Sequence, residues 1–463
     1  MATTRRDFLR TSACALGSMA LASSVESFGV VHALTPQAAA DYKALVCIFL
    51  AGGNDGNNTL VDLNQYNDYS SVRALSTLAI PQANLLAVSP LSGGSYGFHP
   101  NMPEMRDLFN QSKLALLCNT GPLVEPITRT TYQNGTGKKP LQLFSHSDQV
   151  ALFQTAIANN VSQTGWGGRV ADRTRVLNGP ATFPQNISIA GINLLLTGAD
   201  TRQLAVADSN TTLANVLQLT MTGSTSEVAS RLASFTELRT LDNNFKLVKA
   251  ANDTRNSAIQ TDEALGSVNP TLTTTFPNTS LGRQLLQAAR LIKACTDPAT
   301  GINMKRQIFF AQIGGFDTHS NQRTGQDALL LQLSQAMKAF FDATVELGIQ
   351  NNVTTFTLSD FGRTLQPAGS GAIVGSDHAW GNHHLVMGGA VMGQTLFGIY
   401  PTLRLGGPDD TDGGASPRGR WIPTTSVEQY AATLATWYGL SSSDLSAVFP
   451  LIGRFASPTL GFM

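Results

Sequence analysis

Residues 44–50, Ala-Leu-Val-Cys-Ile-Phe-Leu, have no polar position at all. A strand covered by helices on both faces reads this way, whereas a strand with one wet face alternates. Comparable apolar runs at 113–118, 307–313 and 385–391, with a Thr-rich run at 351–358, predict four further strands. Between them, the segment from Asn101 through Pro103 to Phe109 predicts a short helix. Leu329, Leu330, Leu333, Met337, Phe340, Phe341 and Val345 fall near helical spacing and predict a long amphipathic helix over 327–347. Strands alternating with helices give an α/β fold with a mostly parallel sheet flanked by helices. Residues 193–277 depart from the pattern. They are rich in Thr, Asn and Ser with one helical stretch over about 227–252, and read as an insertion or cap on a single domain spanning 34–463.

The N-terminus has a different logic. Arg5-Arg6-Asp7-Phe8-Leu9-Arg10 precedes a weakly apolar, uncharged run over 11–24, and Val31-His32-Ala33 offers a small-residue cleavage site. Charged, apolar and small-residue regions in that order make a secretory signal over 1–33, and the paired arginines point to the twin-arginine export machinery as a partner. The expected location is therefore periplasmic or secreted. No later stretch of the sequence is apolar enough to predict a transmembrane segment in the mature chain. Lys plus Arg and Asp plus Glu each total 31. Cleavage would remove Arg5, Arg6, Arg10, Asp7 and Glu26 and leave the two signs within one charge of each other. A neutral surface gives no reason to expect nucleic acid or anionic lipid as a partner. Cys47, Cys118 and Cys295 would remain; an odd number with no close pair predicts buried free thiols.

Chemistry gathers where the strands end, which is where ligands bind in open α/β sheets. Asp55 lies in the loop after the first strand, Asp317-Thr318-His319 after the third, and Asp360 after the fourth. Asp377-His378-Ala379-Trp380-Gly381-Asn382-His383-His384 follows. Four of the six histidines outside the signal fall in two of these short segments. Carboxylate and imidazole without thiolate suit zinc, manganese, iron or magnesium. A further segment, Phe144-Ser145-His146-Ser147-Asp148-Gln149, opens a helical run. A Ser there satisfies free N–H groups as an N-cap, and the same position suits a nucleophile.

Taken in order, the Arg-Arg signal, Phe-Leu-Ala-Gly-Gly-Asn-Asp-Gly-Asn-Asn, Leu-Phe-Ser-His-Ser-Asp-Gln, Gly-Gly-Phe-Asp-Thr-His, Ser-Asp-Phe-Gly-Arg-Thr and Asp-His-Ala-Trp-Gly-Asn-His-His form a set. That set resembles the exported proteins of the DUF1501 family, which is grouped with the alkaline phosphatase and sulfatase superfamily. His99-Pro100-Asn101-Met102-Pro103 is similar to a sulfatase helix start. The resemblance implies two divalent metal ions (zinc, manganese or calcium) at the strand ends. Asp55 and Asp360 would share one, Asp317 and His319 would bind the other, and His378 or His384 would complete the pair. Ser145 or Ser147 would stand where the nucleophile stands. No Cys-x-Pro-x-Arg sequence is present, which disfavours a formylglycine sulfatase. The implied activity is metal-dependent hydrolysis of phosphate or sulfate esters, on a small-molecule or glycan substrate. The alternative is an exported binding or assembly protein that keeps the fold without turnover.

Overall fold

A computed structural model describes residues 41–216, 224–238, 241, 243–266, 268 and 270–463. The signal expected over 1–33 lies outside them. A nine-stranded sheet forms the centre. In chain order its strands are β1 (Lys43–Leu50), β2 (Leu114–Gly121), β3 (Asn186–Ser188), β4 (Gln203–Ala205), β5 (Arg306–Ile313), β6 (Val353–Ser359), β7 (Asn382–Met387), β8 (Leu396–Phe397) and β9 (Thr425–Ser426). The spatial order is β8-β2-β7-β6-β1-β5-β3-β4, with β9 also on β2. β1 pairs in parallel with both β5 and β6, and β7 is antiparallel to both β2 and β6. The mostly parallel sheet expected from the apolar runs is what forms.

The period-two geometry of β1 explains its composition. Ala44, Val46, Ile48 and Leu50 face one layer, with Leu285, Leu330 and Met337. Leu45, Cys47 and Phe49 face the other, with Trp166, Val170 and Tyr430. Helices α1 (Pro103–Asn110), α6 (Ser280–Thr296) and α7 (Gln322–Glu346) cover the first face, and α2 (His146–Thr155), α3 (Trp166–Thr174) and α8 (Val427–Tyr438) the second. Cys47, Cys118 and Cys295 are free and buried.

Three boundaries differ from the sequence reading, each for a local reason. α7 begins before residue 327 because Gln322 and Gln326 are polar yet buried, donating to Asp55 and Asn54. β7 begins before residue 385 because Asn382, His383 and His384 are buried strand residues, and its pairing stops before Gly388. The helix expected over 227–252 is two helices, α4 (Thr225–Leu238) and α5 (Lys246–Gly266).

Candidate metal centre

β6, β1 and β5 are adjacent and parallel, so the loops at their carboxyl ends meet. Two glycines make that approach possible. Gly52 has φ +113, and a Cβ there would lie 2.3 Å from the Asp317 amide nitrogen; at Gly53, φ +82, it would lie 2.4 Å from the Phe361 ring. Only glycine supplies both the left-handed backbone and the missing Cβ. Asp360 follows β6, and its Oδ1 accepts from the Gly52 N–H at 3.0 Å. His378 ends a small hairpin of Arg363–Pro367 with Ser376–His378, opposite Arg363. His146 is the first residue of α2.

Among the described residues one group of potential ligands converges: His146, Asp317, His319 and His378, with donor atoms all within 4.8 Å of one another. Asp317 Oδ1 lies 3.4 Å from His146 Nε2, 3.0 Å from His319 Nε2 and 3.7 Å from His378 Nε2. The far side of every ring is anchored. His146 Nδ1 donates to Asp360 Oδ2 at 2.7 Å, His378 Nδ1 to the Phe144 carbonyl at 2.7 Å, and His319 Nδ1 to Asp377 Oδ1 at 3.2 Å. A carboxylate or a carbonyl can only accept, so each Nδ1 is the donor there, and each ring points its Nε2 towards the others.

This arrangement fits a cation. His319 Nε2 and His378 Nε2 stand 2.9 Å apart, where two ligands of one ion would stand close together. His146 Nε2 is buried and has no hydrogen-bond donor. Burial, and the Arg363 charge after it, lowers the His319 pKa; burial also lowers that of His378, against its bond to Phe144. Neutral imidazoles anchored through Nδ1 by oxygen acceptors are the usual outer support of metal-bound histidines. Three imidazoles and a carboxylate, without thiolate, suit zinc or another borderline divalent ion. Asp317, His319 and His378 keep 49%, 45% and 23% of their side-chain surface open, so the cluster is reachable from solvent.

Arginines frame it. Arg363 is buried, donates to the Gly52, Gly53 and Ser376 carbonyls, and reaches Asp317 Oδ1 at 2.6 Å. Arg418 pairs with Asp377, and Arg420 donates to the His378 carbonyl while lying over the Phe144 ring. Phe144 has φ +72, a conformation that a bulky residue adopts at a cost. That backbone turns the Phe144 carbonyl to His378 and its ring to Arg420.

Of the residues nominated from sequence, Asp317, His319 and His378 come together. Asp360 stands one bond away, as the partner of His146. Asp55 does not join them: its Oδ2 takes Arg73 at 2.6 Å and Gln322 at 2.5 Å. His384 is buried in β7, packed against the Phe153 and Tyr430 rings, and burial lowers its pKa to about 3. His383 accepts the Asn119 N–H at Nδ1. Ser145 is the N-cap of α2, yet its hydroxyl caps nothing and donates to Asp148 Oδ2 at 2.6 Å; the Ser147 hydroxyl lies 3.3 Å from it. His99 faces Asp327 of α7 at 2.9 Å. His146, not among the ligands expected from sequence, joins the cluster from inside Leu-Phe-Ser-His-Ser-Asp-Gln, and that motif is the signal that marks it.

The family model described as Protein of unknown function (DUF1501) matches residues 42–406. The chain belongs to this family. Comparison with curated proteins returns no match. Among solved structures the chain is similar to Ps i-CgsB in complex with k-i-k-neocarrahexaose, at 10% identity and TM-score 0.33, over 87% of this chain and 74% of that one. It is also similar to the C-terminal periplasmic domain of EcEptC from Escherichia coli in complex with Zn (8%, TM-score 0.32, 76% and 74%). A third is the phosphonate monoester hydrolase of Agrobacterium radiobacter (9%, TM-score 0.32, 86% and 74%). Scores this low mark a distant likeness and carry no functional inference. No helix among the described residues is long and apolar enough to cross a membrane.

Proposed function

We propose that this DUF1501 protein is an exported, metal-dependent hydrolase of phosphate or sulfate esters. The observation that carries the reading is the convergence of three Nδ1-anchored histidines with Asp317 at the carboxyl end of the sheet. His146, His319 and His378 would hold a divalent ion through Nε2, with Asp317 as the fourth ligand. Such an ion supplies Lewis-acid polarisation of the ester and stabilises developing charge on oxygen.

The protein's own groups set the rest. Asp360, Asp377 and the Phe144 carbonyl fix the three ring tautomers. Arg363 holds Asp317 in place. Arg363 and Arg418 pair with Asp317 and Asp377, and Arg420 pairs with Asp412, so a divalent ion would supply the positive charge that draws an anionic substrate. Asp148 fixes the direction of the Ser145 hydroxyl, which makes Ser145 the first candidate nucleophile and Ser147 the second. The Arg-Arg signal supports export, and the motif resemblance supports the ester class.

The test is hydrolysis of nitrophenyl phosphate monoesters, diesters and sulfates by the metal-loaded chain. Turnover is expected, lost at least about 100-fold in Ser145→Ala with metal retained, and lost together with the metal in His319→Ala. Full metal loading with no turnover on any ester would contradict the proposal. It would favour an exported binding or assembly protein, for which the exposed Leu232, Leu238 and Leu241 on and beside α4 offer a surface.

A further inference from the structure

We infer that the centre holds one metal ion, and that the buried Arg73 guanidinium stands as a fixed positive charge at Asp55, where the family resemblance would place a second ion. The inference rests on the His146 cluster being a metal site, and it concerns the residues left over.

Asp55 has no free acceptor. Its Oδ1 takes the Asn57 backbone N–H and side-chain amide, each at 3.1 Å, and Arg73 Nη2 at 3.2 Å. Its Oδ2 takes Arg73 Nη1 at 2.6 Å and the Gln322 amide at 2.5 Å. Arg73 is equally committed. Beyond Asp55 it donates Nε to the Leu365 carbonyl, Nη1 to Asn58 Oδ1 and Nη2 to the Thr364 carbonyl. Those bonds use all five guanidinium N–H groups in fork geometry. Both side chains have 0% exposure. A guanidinium and a divalent ion satisfy a carboxylate in the same way, and they repel each other. An ion at Asp55 would have to displace a fully buried Arg73 and break its five hydrogen bonds.

Asp360, implied alongside Asp55, is spent as well, and His384, though neither ring nitrogen is hydrogen-bonded, is fully buried away from both carboxylates. Asp360 gives one oxygen to Gly52 and the other to His146. His384 lies between aromatic rings in the sheet, and His383 is taken up by the Asn119 N–H. Among the described residues no second group of three ligands gathers. Arg73 is thus a positioning residue: it is too deeply buried to touch substrate, and it holds the Asp55 loop, and through it Gln322, under the centre.

The test is metal stoichiometry by mass spectrometry of the mature chain saturated with zinc and then desalted, beside the Mn(II)-loaded chain examined by electron paramagnetic resonance. One equivalent of zinc and an uncoupled Mn(II) signal are expected. Asp55→Asn should keep its equivalent and His319→Ala should lose it; the unmodified chain decides the matter if the Asp55 variant does not fold. Two equivalents, or an exchange-coupled manganese pair, would overturn the inference and leave the hydrolase proposal standing. No uptake of either metal would overturn the metal centre itself and this inference with it.

Discussion

Consider Asp360→Asn, a change of one oxygen to an amide nitrogen in a side chain that is 4% exposed. Both carboxylate oxygens accept: Oδ1 from the Gly52 N–H at 3.0 Å and Oδ2 from His146 Nδ1 at 2.7 Å. Asparagine has one acceptor oxygen and one NH2. If its oxygen serves Gly52, the NH2 faces His146 Nδ1 and donates to it. That moves the ring proton to Nε2 and blocks the atom that points at Asp317. If its oxygen serves His146, the NH2 meets the Gly52 N–H, and a buried donor goes unpaired at about 1–3 kcal/mol. Losing such an outer support lowers metal affinity about 10- to 100-fold, or roughly 1.4–2.7 kcal/mol. The assay is competition against a chelating zinc dye, with apoprotein melting measured in parallel to separate binding from folding. Zinc affinity equal to that of the parent chain would refute the assignment of Asp360 as the partner that fixes the His146 tautomer.

Other outcomes follow from the same geometry. Arg73→Ala leaves Asp55 charged and buried, and should cost about 3–5 kcal/mol in denaturant unfolding. Ile48→Ala, in a fully buried β1 position, should cost about 2–5 kcal/mol by the same measurement. Burial lowers the pKa of His383 to about 4 and of His384 to about 3, so both are neutral in the fold and take up protons more readily once it opens. Their contribution to stability is complete above the ordinary histidine value near 6.5 and falls as pH drops from there towards 4, at up to about 1.4 kcal/mol per pH unit for each. Urea midpoints over that window should decline in the parent chain and less steeply in His384→Phe.

Much of the layout is legible in the sequence because β1 is apolar on both faces and β5 nearly so, a pattern that a doubly covered sheet needs. The strand-end placement of Asp317, His319 and Asp360 follows from it directly. Two features were not legible. Arg73 lies 18 residues beyond Asp55 in the sequence, in a helix of ordinary composition, and no periodicity announces that it folds back on that carboxylate. The run Asn382-His383-His384 looks like a ligand loop because three polar residues in a row are rare in a core strand. The structure buries all three, two of them against aromatic rings. Which histidines converge depends on the turn at Phe144 and on the hairpin ending at His378, and both are tertiary. His146 enters the cluster only because Asp360 and Phe144, from distant parts of the chain, fix its ring and that of His378.

The central claim is best tested by a crystal structure of the zinc-loaded chain with anomalous data collected on both sides of the zinc edge. One anomalous peak bounded by His146 Nε2, His319 Nε2, His378 Nε2 and the Asp317 carboxylate is the predicted result. No peak there, or a peak at Asp55 with Arg73 displaced, would contradict it.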